Sequence, residues 1–356
     1  MKVIIAGGGT GGHIFPAISV AEEILGRDAS NEVLFVGTKT GLENEILSKR
    51  GYRIEHITAR GMKGSGMVRS VKAVFAAITG VSESMSILKS FKPDVVLGVG
   101  GYVSGPMVLA ASLRGVPTAI CEQNAYPGIA NRILGKFVKK VFTTFDDAAA
   151  FFPGGKVVLT GNPIRRDILT GKPEGKNPEG LTILVFGGSQ GARRLNVSVP
   201  EALSMLGRSD LSVIHQTGAK DVESVKKAYE SYGIPARVMP FIDDMAGSYG
   251  EADFVIARSG AGTVAEITAL GKPSLLIPYP YATNDHQMAN ARSLEKTGAS
   301  IVMRDSEAEP GNLREALTNV FQKDKLDRMS RAALLLGRPG AASDIVDRIY
   351  MLAGVN

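Results

Sequence analysis

Tryptophan is absent from these 356 residues, and aromatic residues make up only 6% of the chain. No stacking platform for single-stranded bases is visible, so nucleic acid is not an expected partner. Cysteine occurs once, as Cys121 in the apolar stretch "PTAIC". A lone thiol in such surroundings fits a reduced compartment and reads as inert core, because burial does not activate it. Long hydrophobic runs are missing as well. The apolar stretches are broken by Gly, Pro or charge, well short of the roughly 20 residues that a membrane-spanning helix needs. The first strand runs directly into glycines without the apolar region and small-residue cleavage site of a secretory signal, so a cytoplasmic protein is expected. Several catalytic signatures are missing too. There is no Walker loop, no HExxH and no cysteine pair. These absences argue against P-loop kinases and ATPases and zinc enzymes, and neither a metal nor a cofactor is expected.

Hydrophobic residues make up 44% of the chain, charged residues 21%, and there are 42 glycines. The 41 Lys and Arg against 35 Asp and Glu give +6, a balance that favours acidic partners such as phosphates or anionic lipid headgroups. Apolar strand candidates fall at 2–6, 33–36, 94–98, 117–121, 138–143 and 156–160, separated by helical stretches such as 14–26 and 68–91. The rhythm lapses in "GKPEGKNPEG" (171–180) and restarts with "LTILVF", "LSVIHQ", "ARVMPF", "ADFVIA" and "PSLLIP". Alternating strands and helices predict parallel sheets covered on both faces, and two such runs predict two doubly wound α/β domains, at 1–160 and 161–339. A break at Gly337-Arg338-Pro339-Gly340 leaves a last helix, 340–356, that can pack back on the first domain.

In open α/β sheets ligands sit beyond the carboxyl ends of the strands. The loops expected there are glycine-rich: "GGGTGGH" (7–13), "GVGGYVSGP" (98–106), "GGSQGAR" (187–193) and "RSGAGTVAE" (258–266). The first satisfies G-x-G-x-x-G through Gly7, Gly9 and Gly12, the dinucleotide fingerprint. That fingerprint also wants an acid at the end of the second strand, and "VLFVGTKTG" has none, although Lys39 is suited to the extra phosphate of NADP. An NADP-dependent oxidoreductase therefore stays open. What the glycines establish is close backbone approach, at a helix N-terminus, to something bulky and anionic. Ser189 can hold a phosphate or cap its helix. Thr263-x-x-Glu266 has capping-box spacing, so Glu266 either serves the helix or accepts hydrogen bonds from a ribose diol.

Taken together, "GGTGGH" (8–13), "VLGVGGYVSGP" (96–106), "EQN" (122–124), "GNPIR" (161–165), "GGSQGA" (187–192), "FIDDM" (241–245) and "RSGAGTVAEI" (258–267) resemble the MurG family in order and rough spacing. Its members move N-acetylglucosamine from UDP-N-acetylglucosamine onto undecaprenyl-pyrophosphoryl-N-acetylmuramoyl-pentapeptide in peptidoglycan synthesis. The resemblance implies the GT-B architecture, two Rossmann-like domains with a cleft between them and the nucleotide sugar held mainly by the second. It implies that Arg165 and Ser189 lie near the UDP pyrophosphate and that the backbone of Ile242 reads the uracil edge. The segment Ala261, Gly262, Thr263, Val264, Ala265 would turn its helix N-terminus to phosphate and Glu266 to the ribose. Asn124 and Gln287 would hold sugar hydroxyls, and Thr10, Gly11 and Gly12 would line the other wall. Where the family commonly has a histidine before "EQN", this chain has Cys121, so a histidine there would be dispensable.

Inverting transfer needs a base for the acceptor 4-hydroxyl and a stabiliser for departing UDP. His13, one of four histidines, has an ordinary pKa suited to that work, and Glu122 is the rival. Helix N-termini and Arg165 would meet the leaving pyrophosphate without a metal. Gly100, Gly101, Tyr102 and Ser104 are the expected grip on the acceptor pyrophosphate. A lipid acceptor implies contact with the anionic inner face of the cytoplasmic membrane. Val71, Val74, Phe75 and Ile78, with Arg69 and Lys72 nearby, have the pattern of a basic interfacial helix within 64–80, which is equally that of a helix packed on a sheet. A nonenzymatic UDP-sugar-binding protein is the third reading.

Overall fold

The computed structural model describes residues 1–9, 11–59, 67–171, 180–188 and 190–355. They form two compact units, Met1–Arg165 with Pro339–Asn356, and Arg166–Arg338. Gly161–Arg165 belong to the first unit. The N–H groups of Thr160 and Gly161 both donate to the Thr143 carbonyl, and the Arg165 guanidinium lies over the Phe15 ring, 5.3 Å from its centroid.

The first unit is a seven-stranded parallel sheet of β1 (Lys2–Ala6), β2 (Glu32–Gly37), β3 (Ile54–His56), β4 (Val95–Gly98), β5 (Thr118–Glu122), β6 (Lys140–Thr143) and β7 (Val157–Leu159), in spatial order 3-2-1-4-5-6-7. Strand β1 is apolar on both sides because helices cover both faces. Val3 and Ile5 pack with Ile14, Ile18 and Ile24 of the helix Gly11–Arg27, while Ile4 and Ala6 pack with Met107 and Val108 of the helix Ser104–Leu113. The helix Ala341–Ala353 places Ile345, Val346 and Ile349 in the first of these cores. It is tied at its rim by Arg27, which meets Asp347 and Ser343, and by Asn31, whose amide donates to the Tyr350 hydroxyl at 2.7 Å.

The second unit is a six-stranded parallel sheet of β8 (Leu181–Phe186), β9 (Leu211–Gln216), β10 (Ala236–Met239), β11 (Phe254–Ala257), β12 (Ser274–Leu276) and β13 (Ser300–Val302), in order 10-9-8-11-12-13. Its core joins Ile183 and Val185 to Leu195 and Val199 of the helix Arg193–Ser204 and to Leu313 and Leu317 of the helix Pro310–Val320. Strands β3 and β13 lie outside the strand stretches picked out in the sequence. Each has three residues and adds to one side of its sheet, too short to leave a pattern.

Candidate active site

In the first unit the chain leaves β1 towards β2 and β3, then returns to the other side of β1 as β4, so the loops after β1 and β4 flank the point where strand order reverses. Their glycines let the two loops interlock. A Cβ on Gly7 would collide with Val99, and one on Gly101 with the carbonyl of Gly8. Gly100, at φ +99°, lies under the His13 ring, with Nε2 2.9 Å from where a Gly100 side chain would begin. His13, the third residue of its helix, is thereby brought to the Gly100-Gly101 loop, with Gly11 and Gly12 opening the same helix. Tyr102 is half exposed beside them.

Ser104 is different. It is buried, and its hydroxyl lies 2.7 Å from the Ala6 carbonyl and 2.9 Å from that of Gly100 while it accepts from the Gly100 N–H at 2.9 Å. It holds the β4 loop to the end of β1. Glu122 is tied up in the same way. Its carboxylate is buried and accepts from the Asn124 N–H (2.9 Å), the Gly128 N–H (3.2 Å) and the Asn131 amide (2.9 Å), with the Asn124 amide at 3.4 Å. Burial pushes its pKa up against the pull of those donors. Its lone pairs staple the loop that carries Asn124. Cys121 is buried, and burial raises its thiol to about 12, which makes it inert.

The second strand does have its acid, six residues beyond its end. Glu43, on the helix Leu42–Lys49, is buried with its carboxylate turned back to accept from the N–H groups of Gly9 and Thr38 and the Thr38 hydroxyl, each at 2.9 Å. Burial alone would raise its pKa, but the hydrogen bonds outweigh it and hold the group below the usual glutamate value.

In the second unit β8 lies between β9 and β11, and the loops after β8 and β11 flank its reversal point. Gly188 and Gly191 have φ of +94° and +74°, and a Cβ on Gly191 would overlap the Thr217 carbonyl. The side chain of Gln216, at the end of β9, donates to the Gly188 carbonyl and accepts from the Ile242 N–H, both at 2.9 Å. The sequence reading passed over Gln216. The one signal was an amide at the carboxyl end of the strand "LSVIHQ", where ligand-binding loops begin. Since Gln216 takes the Ile242 N–H, the Ile242 carbonyl is the backbone group there that can read a base edge.

The helix Ala261–Ala269 starts after Gly260 with no side-chain cap, so its first N–H groups have no intrahelical acceptor. Thr263 lies inside that helix, which removes the capping-box reading of Thr263 and Glu266. Glu266, half-buried, accepts from the buried Tyr249 hydroxyl at 3.0 Å. The carbonyl of Gln287 accepts from Ser259 Oγ in the loop after β11 at 2.8 Å, and its side-chain oxygen accepts from the Tyr279 N–H in the loop after β12 at 2.9 Å. Of the residues singled out in the sequence, His13, Gly11, Gly12, Gly100, Gly101 and Arg165 come together in the first unit, with Asn124 on the separate loop after β5. Ile242, Glu266, Gln287 and the Ala261–Ala265 helix start surround the reversal point of the second. Thr10, Ser189, residues 64–66 and the side chains of Arg69, Val71, Lys72, Val74 and Phe75 lie outside the described residues.

The chain is similar to known proteins along its whole length. Residues 3–143 match the glycosyltransferase family 28 N-terminal domain and residues 182–347 the glycosyltransferase family 28 C-terminal domain. A relative from Myxococcus xanthus (strain DK1622) is 49% identical over 98% of this chain and 92% of its own; one from Syntrophus aciditrophicus (strain SB) is 47% identical over 98% and 97%. Both are named UDP-N-acetylglucosamine--N-acetylmuramyl-(pentapeptide) pyrophosphoryl-undecaprenol N-acetylglucosamine transferase. The crystal structure of Acinetobacter baumannii MurG superposes with a TM-score of 0.83 at 34% identity, over 98% of this chain and 99% of that one. With two parallel-sheet α/β units of the GT-B class, the chain belongs to glycosyltransferase family 28 and, within it, to the MurG family.

Proposed function

We propose that this protein moves N-acetylglucosamine from UDP-N-acetylglucosamine to the 4-hydroxyl of the N-acetylmuramoyl sugar of undecaprenyl-pyrophosphoryl-N-acetylmuramoyl-pentapeptide, with inversion. Whole-length identity of 46–49% to several transferases of that name carries the reading. The second unit, 166–338, takes the donor. Around its reversal point the helix at Ala261, which has no side-chain cap, offers backbone N–H groups to the pyrophosphate. Glu266, oriented by Tyr249, receives the ribose hydroxyls, the Ile242 carbonyl reads the uracil, and Gln287 and Asn124 donate to the sugar. Ser189 and Arg165 add a hydroxyl and a cation for phosphate.

The first unit, with the helix 341–353, takes the acceptor. Gly11, Gly12, Gly100 and Gly101 give close backbone approach with Tyr102 beside them, and Thr10 is assigned to the same wall. His13 removes the proton as the 4-oxygen bonds to the anomeric carbon and the bond from that carbon to the UDP oxygen breaks. The leaving diphosphate carries the charge, which the helix N–H groups and Arg165 stabilise. The dinucleotide alternative fails on Glu43, whose carboxylate already occupies the Gly9 N–H where a cofactor anion would bind.

No helix among the described residues is long and apolar enough to cross a membrane. The lipid acceptor is instead met at an exposed apolar cluster, Leu113, Ile129, Ile133 and Phe137, each more than half in water, with exposed Arg114, Arg132, Lys136 and Lys139 among them. The cluster faces the anionic inner leaflet of the cytoplasmic membrane, together with Ile78, which is also exposed. Calorimetry tests the assignment: UDP-N-acetylglucosamine binds and NADPH does not, whereas tight NADPH binding with no response to the sugar nucleotide refutes it.

A further inference from the structure

The carboxylate of Glu43 takes the Gly9 N–H of the first glycine loop, the kind of donor that glycine loops offer to anions. Three glycines from three segments make room for it. A Cβ on Gly8 or Gly41 would collide with the carboxylate itself, and one on Gly37 would come within 2.7 Å of its Cγ. One buried side chain thus connects the helix Leu42–Lys49 to the first glycine loop, in a setting where every acceptor lone pair counts. The contact propagates, because Gly8 bears through its carbonyl on Gly101, and the neighbouring Gly100 lies under the His13 ring.

We propose that Glu43 is a positioning residue for the transfer reaction. It acts as an internal anion that fixes Gly8 and Gly9, and through Gly100 and Gly101 sets where His13 and the acceptor-facing backbone stand. By taking the Gly9 N–H it also directs the acceptor's pyrophosphate to the N–H groups at the start of the His13 helix, the Gly100 N–H being held by Ser104. The inference rests on the transferase reading above.

Three variants test it. Glu43→Gln keeps the shape but turns an NH₂ towards donors that need an oxygen. Gly41→Ala displaces the same carboxylate from outside the catalytic loops, at a φ of −80° that alanine adopts freely. The double variant reports whether the two act through one group. With a lipid-linked N-acetylmuramoyl-pentapeptide acceptor, each single variant raises the acceptor KM and lowers kcat, for a combined loss of about 30-fold or more in kcat/KM. The UDP-N-acetylglucosamine KM stays within about twofold of wild type, and the double variant loses scarcely more than either single one. Unchanged acceptor KM in both single variants, or a fall in kcat only in proportion to the folded fraction, overturns the proposal. Absence of product from the wild-type enzyme would instead refute the transferase reading itself.

Discussion

Replacing Glu122 by glutamine separates a loop staple from a catalytic base. One carboxylate oxygen accepts from the Asn124 N–H and its amide, the other from the Gly128 N–H and the Asn131 amide. Whichever way the glutamine is turned, its NH₂ faces one of these pairs of donors. A buried donor without an acceptor costs ~1–3 kcal/mol, so the gross penalty is roughly 2–6 kcal/mol. Removing the charge recovers part of this, because burial disfavours the ionised group and raises its pKa. A net loss of about 2–3 kcal/mol is expected in the first unit, visible as a lowered midpoint in urea or on heating. Loss of a base costs ~10²- to 10⁴-fold in rate and removes the acidic limb of the pH–rate profile. Loss of a staple displaces Asn124 and costs less than about 30-fold, with the limb retained. An unchanged unfolding midpoint combined with a fall in kcat of more than about 100-fold and a flattened acidic limb would refute this reasoning.

Three other outcomes follow from the same geometry. His13→Ala lowers kcat by ~10²-fold or more at saturating substrates and removes the acidic limb; near-normal turnover would exclude it as the base. Gln216→Leu frees both the Gly188 carbonyl and the Ile242 N–H, so UDP binding by calorimetry weakens about tenfold while thermal stability changes little more than that energy implies. His215 is fully buried between Tyr229 and Asn196 and is pushed down to about 3, so the unfolded chain binds a proton between pH 6.5 and 3 that the native state does not. Its contribution to stability is present above 6.5 and is lost as pH falls. From pH 7 to pH 5 wild type loses about 2 kcal/mol more in urea unfolding of the second unit than His215→Gln, and equal slopes would show that the buried ring does not titrate this way.

Much of the fold was legible because parallel strands covered on both faces read as continuous apolar runs, as in "KVIIA" and "LTILVF", each closed by glycines at the carboxyl end. The glycines marked the reversal points of both sheets for the same reason, since they allow close backbone approach that any Cβ would prevent. What the sequence hid is the environment of polar side chains. The spacing of Thr263 and Glu266 is that of a capping box, and only the helix start at Ala261 shows that it is not one. Glu43 stands beyond the end of β2, so a search for an acid in "VLFVGTKTG" misses a carboxylate that returns to the same place from the next helix. Glu122 and Ser104 carry reactive groups in suggestive motifs, and only the tertiary structure reveals the hydrogen bonds through which both tie loops together.

The most direct test of the account is transfer itself. The purified protein is incubated with UDP-N-acetylglucosamine labelled in the sugar and a lipid-linked N-acetylmuramoyl-pentapeptide in anionic vesicles, and both UDP and labelled lipid are counted. The account predicts one β-linked labelled disaccharide lipid for each UDP released. Release of UDP with free labelled sugar, or binding of the sugar nucleotide with no labelled lipid, would contradict it.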